Sequence, residues 1–166
     1  MAKKSKPAAL DMKSEVRKFL IVANLRGYAA DNTKAWIKEK DGSTTIIYER
    51  EDWKYHDNFF GGEPYGGREV VFYKGEPVWM MVYYGAIVET ESDVKGLYQF
   101  LQGALRADPE SNPYRGPKSF KEGEFEYRNS WTGEVESFSG EEGIYRSGKR
   151  IYRAKYLGGF VDQRAE

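Results

Sequence analysis

Two stretches of the chain carry the same pattern of aromatic residues and glycines. The run VFYKGEPVWMMVYYGAIV at 71–88 is matched by GIYRSGKRIYRAKYLGGFV at 143–161. Gly75 and Gly148 lie 73 positions apart, and six further aromatic, aliphatic or glycine positions keep that offset. A single unit of this size would bury too little apolar surface to be stable. The repeat therefore predicts two similar units around one core, lying back to back with their aromatic sides inward.

Each unit is predicted to begin with a helix. Apolar residues recur at helical spacing in two segments, which contain Val16, Phe19, Leu20 and Ala23 in the first unit and Val94, Leu97, Tyr98 and Leu101 in the second. Gly27 is expected to end the first helix, and Thr90 or Ser92 is expected to cap the second, with Asp93 in its first turn.

Four short strands with tight turns are predicted to follow each helix. They are TTIIYER (44–50), WKYHDNFF (53–60), REVVFYK (68–74) and PVWMMVYY (77–84), then SFKE, EFEYRNSW, GIYRS and RIYRAKYL, with 35–37 as a candidate edge strand. The predicted fold is α+β, with two pseudo-repeated helix plus antiparallel β-meander units, 14–88 and 92–161, sharing one core. They form a single domain at 11–166 behind a disordered basic tail at 1–10, and the role of residues 28–44 stays open.

Strand alternation sorts the residues of the repeat onto two faces. If Gly75 and Glu76 form a two-residue turn, Phe72 pairs with Trp79. The core face is then expected to carry Trp79, Met81, Tyr83, Tyr152, Ala154 and Tyr156. The opposite face is apolar in the first unit and mixed with Arg153 and Lys155 in the second. An apolar row on both faces needs cover, so we expect the other unit, or a second chain in a homodimer, to cover Val78, Met80 and Val82.

Polar side chains interrupt two aromatic rows at matching positions. Asp57 shares a strand face with Trp53, Tyr55 and Phe59, and Asn129 shares one with Phe125, Tyr127 and Trp131. A buried carboxylate needs a partner, so Asp57 is interpreted as a structural hydrogen-bond acceptor, as part of a ligand cavity between the units, or as exposed near a strand end. The cavity interpretation gives eight candidate ligand-binding residues: Trp53, Tyr55, Asp57, Phe59, Trp79, Tyr127, Asn129 and Trp131.

Other segments offer weaker candidates. Gly61, Gly62 and Tyr65 lie in a glycine-rich loop that is either a lip over a pocket or a plain hairpin. Arg115 is a candidate anion contact, or it attaches the connector NPYRGP to a carboxylate. The only histidine, His56, alternates with solvent-facing positions. Glu69 and Glu142 match across the repeat, either as a carboxylate pair or on half-exposed strands.

Composition removes several classes of function. The chain has no cysteine, which excludes disulfides, thiolate chemistry and cysteine-ligated metal centres. Its 26 basic and 26 acidic residues balance, whereas a phosphate-neutralising protein needs a basic excess, so a nucleic-acid partner is not expected. No metal site or cofactor is expected, because a lone histidine has no partner ligands. No signal peptide or membrane span is recognisable, so the expected location is the cytoplasm.

The chain resembles an uncharacterised bacterial and archaeal family that is known only as a domain of unknown function. The resemblance lies in FLIVANLRGYA, YHDNFFGGEPYGGREVVFYKGEPVWMMVYYG, NPYRGP and GIYRSGKRIYRAKYLGGFV. Some members carry this domain behind a helix-turn-helix module, which implies a sensor role by analogy. No such module is expected before Asp11 here, and the family supplies no catalytic residues.

Three classes of function fit these residues. A small-molecule-binding or sensor-type domain with an aromatic-lined pocket between the units ranks first. An oligomerising structural or interaction protein, associating through Val78, Met80 and Val82, ranks second. An enzyme with Asp57 or Glu69 as general base ranks third, since a buried carboxylate beside a polar group can act in this way. The ligand itself is not predictable from the sequence.

Overall fold

The fold combines two helices with one antiparallel sheet. The computed structural model describes residues 9–28, 35–91 and 93–162. The helices are α1 (Ala9–Arg26) and α2 (Val94–Arg106), and the strands are β1 (Ile37–Lys38), β2 (Thr44–Arg50), β3 (Trp53–Gly61), β4 (Tyr65–Tyr73), β5 (Glu76–Ile87), β6 (Ser119–Glu122), β7 (Phe125–Glu134), β8 (Ser137–Arg146) and β9 (Lys149–Phe160). Within these residues the protein is α+β and mostly sheet, as predicted.

The nine strands form one continuous sheet in the order β1-β2-β3-β4-β5-β9-β8-β7-β6. Two meanders, β2–β5 and β6–β9, meet at the antiparallel pair β5–β9, where Tyr83 lies opposite Tyr156. The predicted back-to-back arrangement is therefore wrong: the two halves lie edge to edge and continue each other's hydrogen-bond ladder. The internal repeat itself stays a prediction.

Both helices contribute to a core on one face of this sheet. The predicted helix positions Val16, Leu20, Leu97 and Leu101 are fully buried, and so is Trp79 at the centre of the sheet. The whole predicted core face is confirmed, because each of its members is less than 9% exposed: Trp79, Met81, Tyr83, Tyr152, Ala154 and Tyr156.

The opposite face of the central strands is open within the described residues. Val82 is 40% exposed, Tyr84 61% and Leu157 58%, although Val82 and Leu157 are direct cross-strand partners. The expectation that the other unit covers Val78, Met80 and Val82 is wrong, because a single sheet places both halves in one layer. A homodimer contact there stays a prediction.

The turn between β4 and β5 differs from the predicted one. Lys74 and Gly75 form it, with φ of 51° and 85°, and positive φ at both central residues is the geometry that two-residue hairpins prefer. A β-bulge between Val71 and Phe72 then places Val71 opposite Trp79. The predicted Phe72–Trp79 pair is therefore wrong.

The helix ends are set by local backbone bonding. The helix α1 begins at Ala9, inside the segment predicted as a tail, and residues 1–8 lie outside the described part of the chain. It ends at Gly27, whose N–H donates to the Ala23 carbonyl at 2.8 Å. Asp93, which was predicted in the first turn of α2, is instead its cap, because its side chain accepts from the Gly96 N–H at 2.8 Å. The predicted cap Thr90 is therefore wrong, and the alternative Ser92 is outside the described residues. Neither described helix has both the length and the apolar character that crossing a bilayer requires.

Candidate functional site

A cavity of about 490 Å³ opens on the helix-covered face, over β3, β4 and β5. Its walls come from the end of α1, from α2, from the segment 36–38 and from the connector after α2. This volume lies within the range of small-molecule sites in proteins. The two helices therefore leave a space above the first half of the sheet that is large enough for a metabolite.

Aromatic rings line two sides of this cavity. On one side Tyr28 stacks on Trp36 at 5.8 Å between ring centroids, and Trp36 meets the edge of Phe59 at 5.8 Å. On the other side Tyr65 and Tyr98 meet edge to face at 5.9 Å. Rings held by one another lose little freedom when a ligand binds, so these walls suit a flat or apolar molecule.

Two carboxyl groups lie at the floor of the cavity. Asp57 on β3 and Glu69 on β4 are direct cross-strand partners, and they are only 2% and 4% exposed. The Tyr83 hydroxyl donates to Asp57 Oδ1 at 2.5 Å. The Tyr55 hydroxyl is a hydrogen-bonding neighbour of the Glu69 side chain, but among the described residues no donor has hydrogen-bond geometry to the buried Glu69 Oε2. A buried carboxylate oxygen without a donor is rare and unfavourable in a folded protein.

The environment of this pair favours a bound proton near neutral pH. Burial raises the pKa of Asp57 to about 7, although the Tyr83 hydrogen bond and the Arg115 charge act in the opposite direction. Burial also raises the pKa of Glu69 well above its usual range, and the charge of Asp57 adds to this effect. Because two close carboxylates cannot both ionise cheaply, they titrate as a pair.

Glycine at position 67 lets Tyr83 reach Asp57. Gly67 lies between Phe59 and Tyr83 in the ladder, and a Cβ there would come within 2.7 Å of the Tyr83 hydroxyl oxygen. It would also come within 2.5 Å of the Asn58 carbonyl oxygen. The missing side chain therefore allows the tyrosine to cross β4, which explains one glycine of the loop motif.

Arg115 lies beside the carboxyl pair but already has a partner. Asn112 holds the connector by accepting from the backbone N–H groups of Tyr114 and Arg115, at 2.8 and 3.2 Å. The guanidinium then binds both oxygens of Glu142, with Nη2–Oε1 at 2.5 Å and Nε–Oε2 at 3.2 Å. The alternative in which Arg115 attaches the connector to a carboxylate is confirmed. Arg115 also lines the cavity, and its contact with an anion stays a prediction.

The predicted site residues divide into two groups. Those that line the cavity are Tyr55, Asp57, Phe59, Gly61, Gly62, Tyr65 and Arg115. Those that do not line it are Trp53, Trp79, Tyr127, Asn129 and Trp131.

The second group has structural contacts instead. The Trp79 indole N–H donates to the Val135 carbonyl at 3.0 Å, and its ring stacks on Phe138. Asn129 donates to the Gly116 carbonyl at 2.8 Å and accepts from the Tyr156 hydroxyl at 2.9 Å. These contacts hold the far half of the sheet and its connector together.

Two further expectations are now decided. Glu69 and Glu142 are 4% and 1% exposed, so their predicted position on half-exposed strands is wrong. His56 is half-buried on the opposite face of the sheet, away from the cavity. In the described part of the chain, no group of three or more acidic or histidine side chains is placed to hold a metal ion.

Sequence reasoning missed much of the cavity wall. Tyr28 and Trp36 lie in the segment 28–44, for which the sequence predicts no role, whereas Tyr83 is predicted on the core face and Tyr98 only as a helix position. One observable feature was the polar stripe beside the apolar stripe of α2, in which Gln99 and Gln102 accompany Tyr98.

Comparison with known proteins places the chain in a family. A search of curated proteins and a search of solved structures found no match to this chain. The model of one family, described as Domain of unknown function (DUF5680), matches residues 57–161. The matched part holds Asp57, Glu69, Tyr83 and Arg115, which line the cavity, and Glu142, the partner of Arg115. The chain therefore belongs to the DUF5680 family.

Proposed function

We propose that this chain is a sensor-type domain that binds a small molecule in the cavity over β3–β5. The observation that carries the proposal is the buried Asp57–Glu69 pair, which opens into an aromatic-lined space of about 490 Å³. A purely structural site would be expected to satisfy Glu69 Oε2 from within, yet the described residues offer it no donor. A ligand that donates a hydrogen bond would supply the missing partner.

The test is a thermal-shift screen of a metabolite library, followed by calorimetric titration of the hits. A specific ligand raises Tm in proportion to its excess over Kd. Gln102→Trp adds a ring inside the cavity and is expected to abolish the shift. Lys54→Trp adds the same ring on the opposite face of the sheet and is expected to leave the shift intact. Hits whose Tm shift persists in Gln102→Trp would bind outside the cavity and contradict the proposal.

Acid–base catalysis is a second candidate function. The observation in its favour is a pKa of about 7 for Asp57, because a general base works best when its pKa lies near the working pH. Each hit would be incubated with the protein in D₂O and followed by NMR for hydrogen exchange or conversion. Exchange that disappears in Asp57→Asn would support an enzyme, and binding without exchange would support a sensor.

Self-association through the open sheet face is a third candidate. It rests on the exposed neighbours Val82, Tyr84 and Leu157 on the two central strands. The occupant would be a second copy of this chain. Sedimentation equilibrium of the wild type and of Val82→Lys tests it: a dimer that the substitution dissociates supports the candidate, and a wild-type monomer contradicts it.

A further inference from the structure

The two halves of the sheet contain the same polar arrangement. In the first half Tyr83 donates to Asp57 across Gly67, and Glu69 is the cross-strand partner of Asp57. In the second half Tyr156 donates to Asn129 across Gly140, and Glu142 is the cross-strand partner of Asn129. A Cβ on Gly140 would come within 2.3 Å of the Tyr156 hydroxyl oxygen, so this glycine has the same role as Gly67.

The two arrangements differ in what meets the glutamate. Glu142 receives the Arg115 guanidinium on both oxygens and the Tyr127 hydroxyl at 2.6 Å. Glu69 has a tyrosine at the corresponding place, Tyr55, but no cation among the described residues contacts it. Its Oε2 is buried without a donor, on the wall of an open cavity. The second half thus shows how this arrangement looks when a guanidinium completes it.

The charges around the cavity floor favour a cation over an anion. Asp57 and Glu69 supply two carboxyl groups to the cavity lining, and the guanidinium of Arg115 is already paired with Glu142, which lies outside that lining. Lys38 and Lys95 also line the cavity; the Lys38 ammonium is held by the Thr44 hydroxyl at 2.8 Å, and Lys95 is exposed. A cation beside this pair would favour release of its proton and compensate the charge that forms, whereas an anion would make ionisation of either carboxyl group still more costly.

We propose that Asp57 and Glu69 recognise the cationic end of the ligand, a guanidinium, amidinium or primary ammonium group that occupies the place Arg115 takes beside Glu142. This inference rests on the proposed function and names its ligand class. The surrounding rings of Tyr28, Trp36 and Phe59 suit such a group, because aromatic faces attract cations and pack against flat bodies. Arg115 makes this type of contact itself, with its guanidinium carbon 5.6 Å from the centre of the Tyr83 ring.

The test uses three probes of equal size and different charge: benzamidine, benzamide and benzoate. Calorimetric titration of the full chain at pH 7.5 is expected to give the tightest binding for benzamidine, with at least a tenfold weaker affinity for the other two. Glu69→Gln is expected to weaken benzamidine binding at least tenfold. Glu49→Gln removes an exposed carboxylate outside the cavity and is expected to leave the affinity unchanged.

Asp57→Asn provides a second test in case Glu69→Gln does not fold. Asp57→Asn copies the amide that Asn129 provides in the other half, so it keeps an acceptor for Tyr83. It is also expected to weaken benzamidine binding, because it removes one of the two carboxylates. Both variants would be checked by circular dichroism before titration.

The outcomes separate the ligand class from the proposed function. Benzoate or benzamide binding as tightly as benzamidine, with loss of binding in Gln102→Trp, would overturn the cation inference and leave a ligand cavity. Neutral or anionic library hits whose affinity is unchanged in Glu69→Gln would also overturn the cation inference and leave a ligand cavity. No Tm shift from any compound, the three probes included, would overturn the proposed function and the inference together. Cationic hits that lose affinity in Glu69→Gln would support both.

Discussion

Asp57 and Glu69 are direct cross-strand partners whose carboxyl groups lie buried side by side beneath the cavity. Burying two neighbouring carboxyl groups costs free energy whether they ionise or hold a proton without a partner, and a hydrophobic pair at these positions would be the more stable choice. Such locally unfavourable arrangements persist where a site needs them. The pair is therefore the part of the structure that purely structural demands explain least.

The first prediction concerns the pH dependence of stability. Asp57 keeps its proton up to about pH 7 in the folded chain, whereas an unperturbed aspartate has a pKa of 3.8. Between these values the folded state binds more protons than the unfolded state, so the free energy of unfolding falls as pH rises. Urea denaturation should show that, from pH 4 to pH 8, the free energy of unfolding of the wild type falls relative to that of Asp57→Asn by on the order of 3 kcal/mol.

Asp57→Asn also affects the pKa of the neighbouring Glu69. The substitution removes the Asp57 charge and with it one cause of the raised pKa of Glu69. The pH slope of the variant should therefore be flatter than that of wild type. Equal slopes in the two proteins, or a wild type that gains stability over this range relative to the variant, would contradict the assigned environment.

The second prediction concerns the tyrosine that bonds to Asp57. Tyr83→Phe removes a charge-assisted hydrogen bond and should cost roughly 2 kcal/mol at pH 8, where Asp57 is ionised. The cost should be smaller at pH 5, where the carboxyl is protonated. Tyr84→Phe is the matched control, because its neighbouring ring is 61% exposed and should change stability by less than about 0.5 kcal/mol. Urea denaturation at both pH values measures these changes. An equal loss of unfolding free energy in Tyr83→Phe and Tyr84→Phe would count against the hydrogen bond.

The third prediction compares two ion pairs. The Arg115 and Glu142 side chains are 6% and 0% exposed, whereas those of Arg153 and Glu141 are 38% and 33% exposed. Arg115→Met leaves a buried carboxylate without its cation and should cost about 3 to 5 kcal/mol. Arg153→Met breaks a half-exposed pair, in which Glu141 keeps Arg150 as a second partner, and should cost less than about 1 kcal/mol.

Chemical denaturation of both variants measures this difference. The double variant Arg115→Met with Glu142→Gln should recover part of the lost free energy of unfolding, because it also removes the unpaired charge of Glu142. An Arg115→Met protein as stable as Arg153→Met would mean that the connector is held by other contacts.

The fourth prediction concerns glycine. Gly67→Ala places a Cβ 2.5 Å from the Asn58 carbonyl oxygen and 2.7 Å from the Tyr83 hydroxyl oxygen, so the sheet or the tyrosine must shift. The expected cost is roughly 2 kcal/mol, or a fall in Tm of about 5 °C. Gly62→Ala meets nothing within 4 Å and should leave Tm nearly unchanged. Calorimetric melting measures both Tm values. An equal fall in Tm for the two variants would mean that the segment tolerates no side chain in place of glycine, rather than that packing requires glycine at position 67.

The sequence predicted the strands well because local rules decide them. Alternation in WKYHDNFF identified the buried face of β3, and that face is the one that carries Tyr55, Asp57 and Phe59. Turn residues marked most hairpins, and β2 and β6 were predicted to the residue, whereas β8 begins at Ser137, ahead of the predicted strand GIYRS. The Phe72–Trp79 pairing was wrong because the turn lies at Lys74 and Gly75, one residue earlier than predicted, which puts Phe72 opposite Pro77. A bulge between Val71 and Phe72, which leaves no distinct mark in the sequence, then puts Val71 opposite Trp79.

The arrangement of the two halves could not be predicted in the same way. An apolar strand can pair edge to edge or stack face to face, and the alternation in Val78, Met80 and Val82 is the same in both cases. The cavity was only half predictable for a related reason. Its floor lies on strands, whose faces alternate visibly, but the walls from Trp36 and Tyr98 depend on where the segment 36–38 and α2 rest against the sheet.

The indole N–H signals of the four tryptophans test the central claim most directly. Only Trp36 lines the cavity, whereas Trp53, Trp79 and Trp131 lie outside it and act as internal controls. In a ¹H–¹⁵N titration with benzamidine and with the hits of the library screen, the Trp36 signal should move saturably while the other three stay in place. A bound compound that moves Trp53 or Trp131 and leaves Trp36 unmoved, or a full screen in which Trp36 never moves, would contradict a ligand site above Asp57 and Glu69.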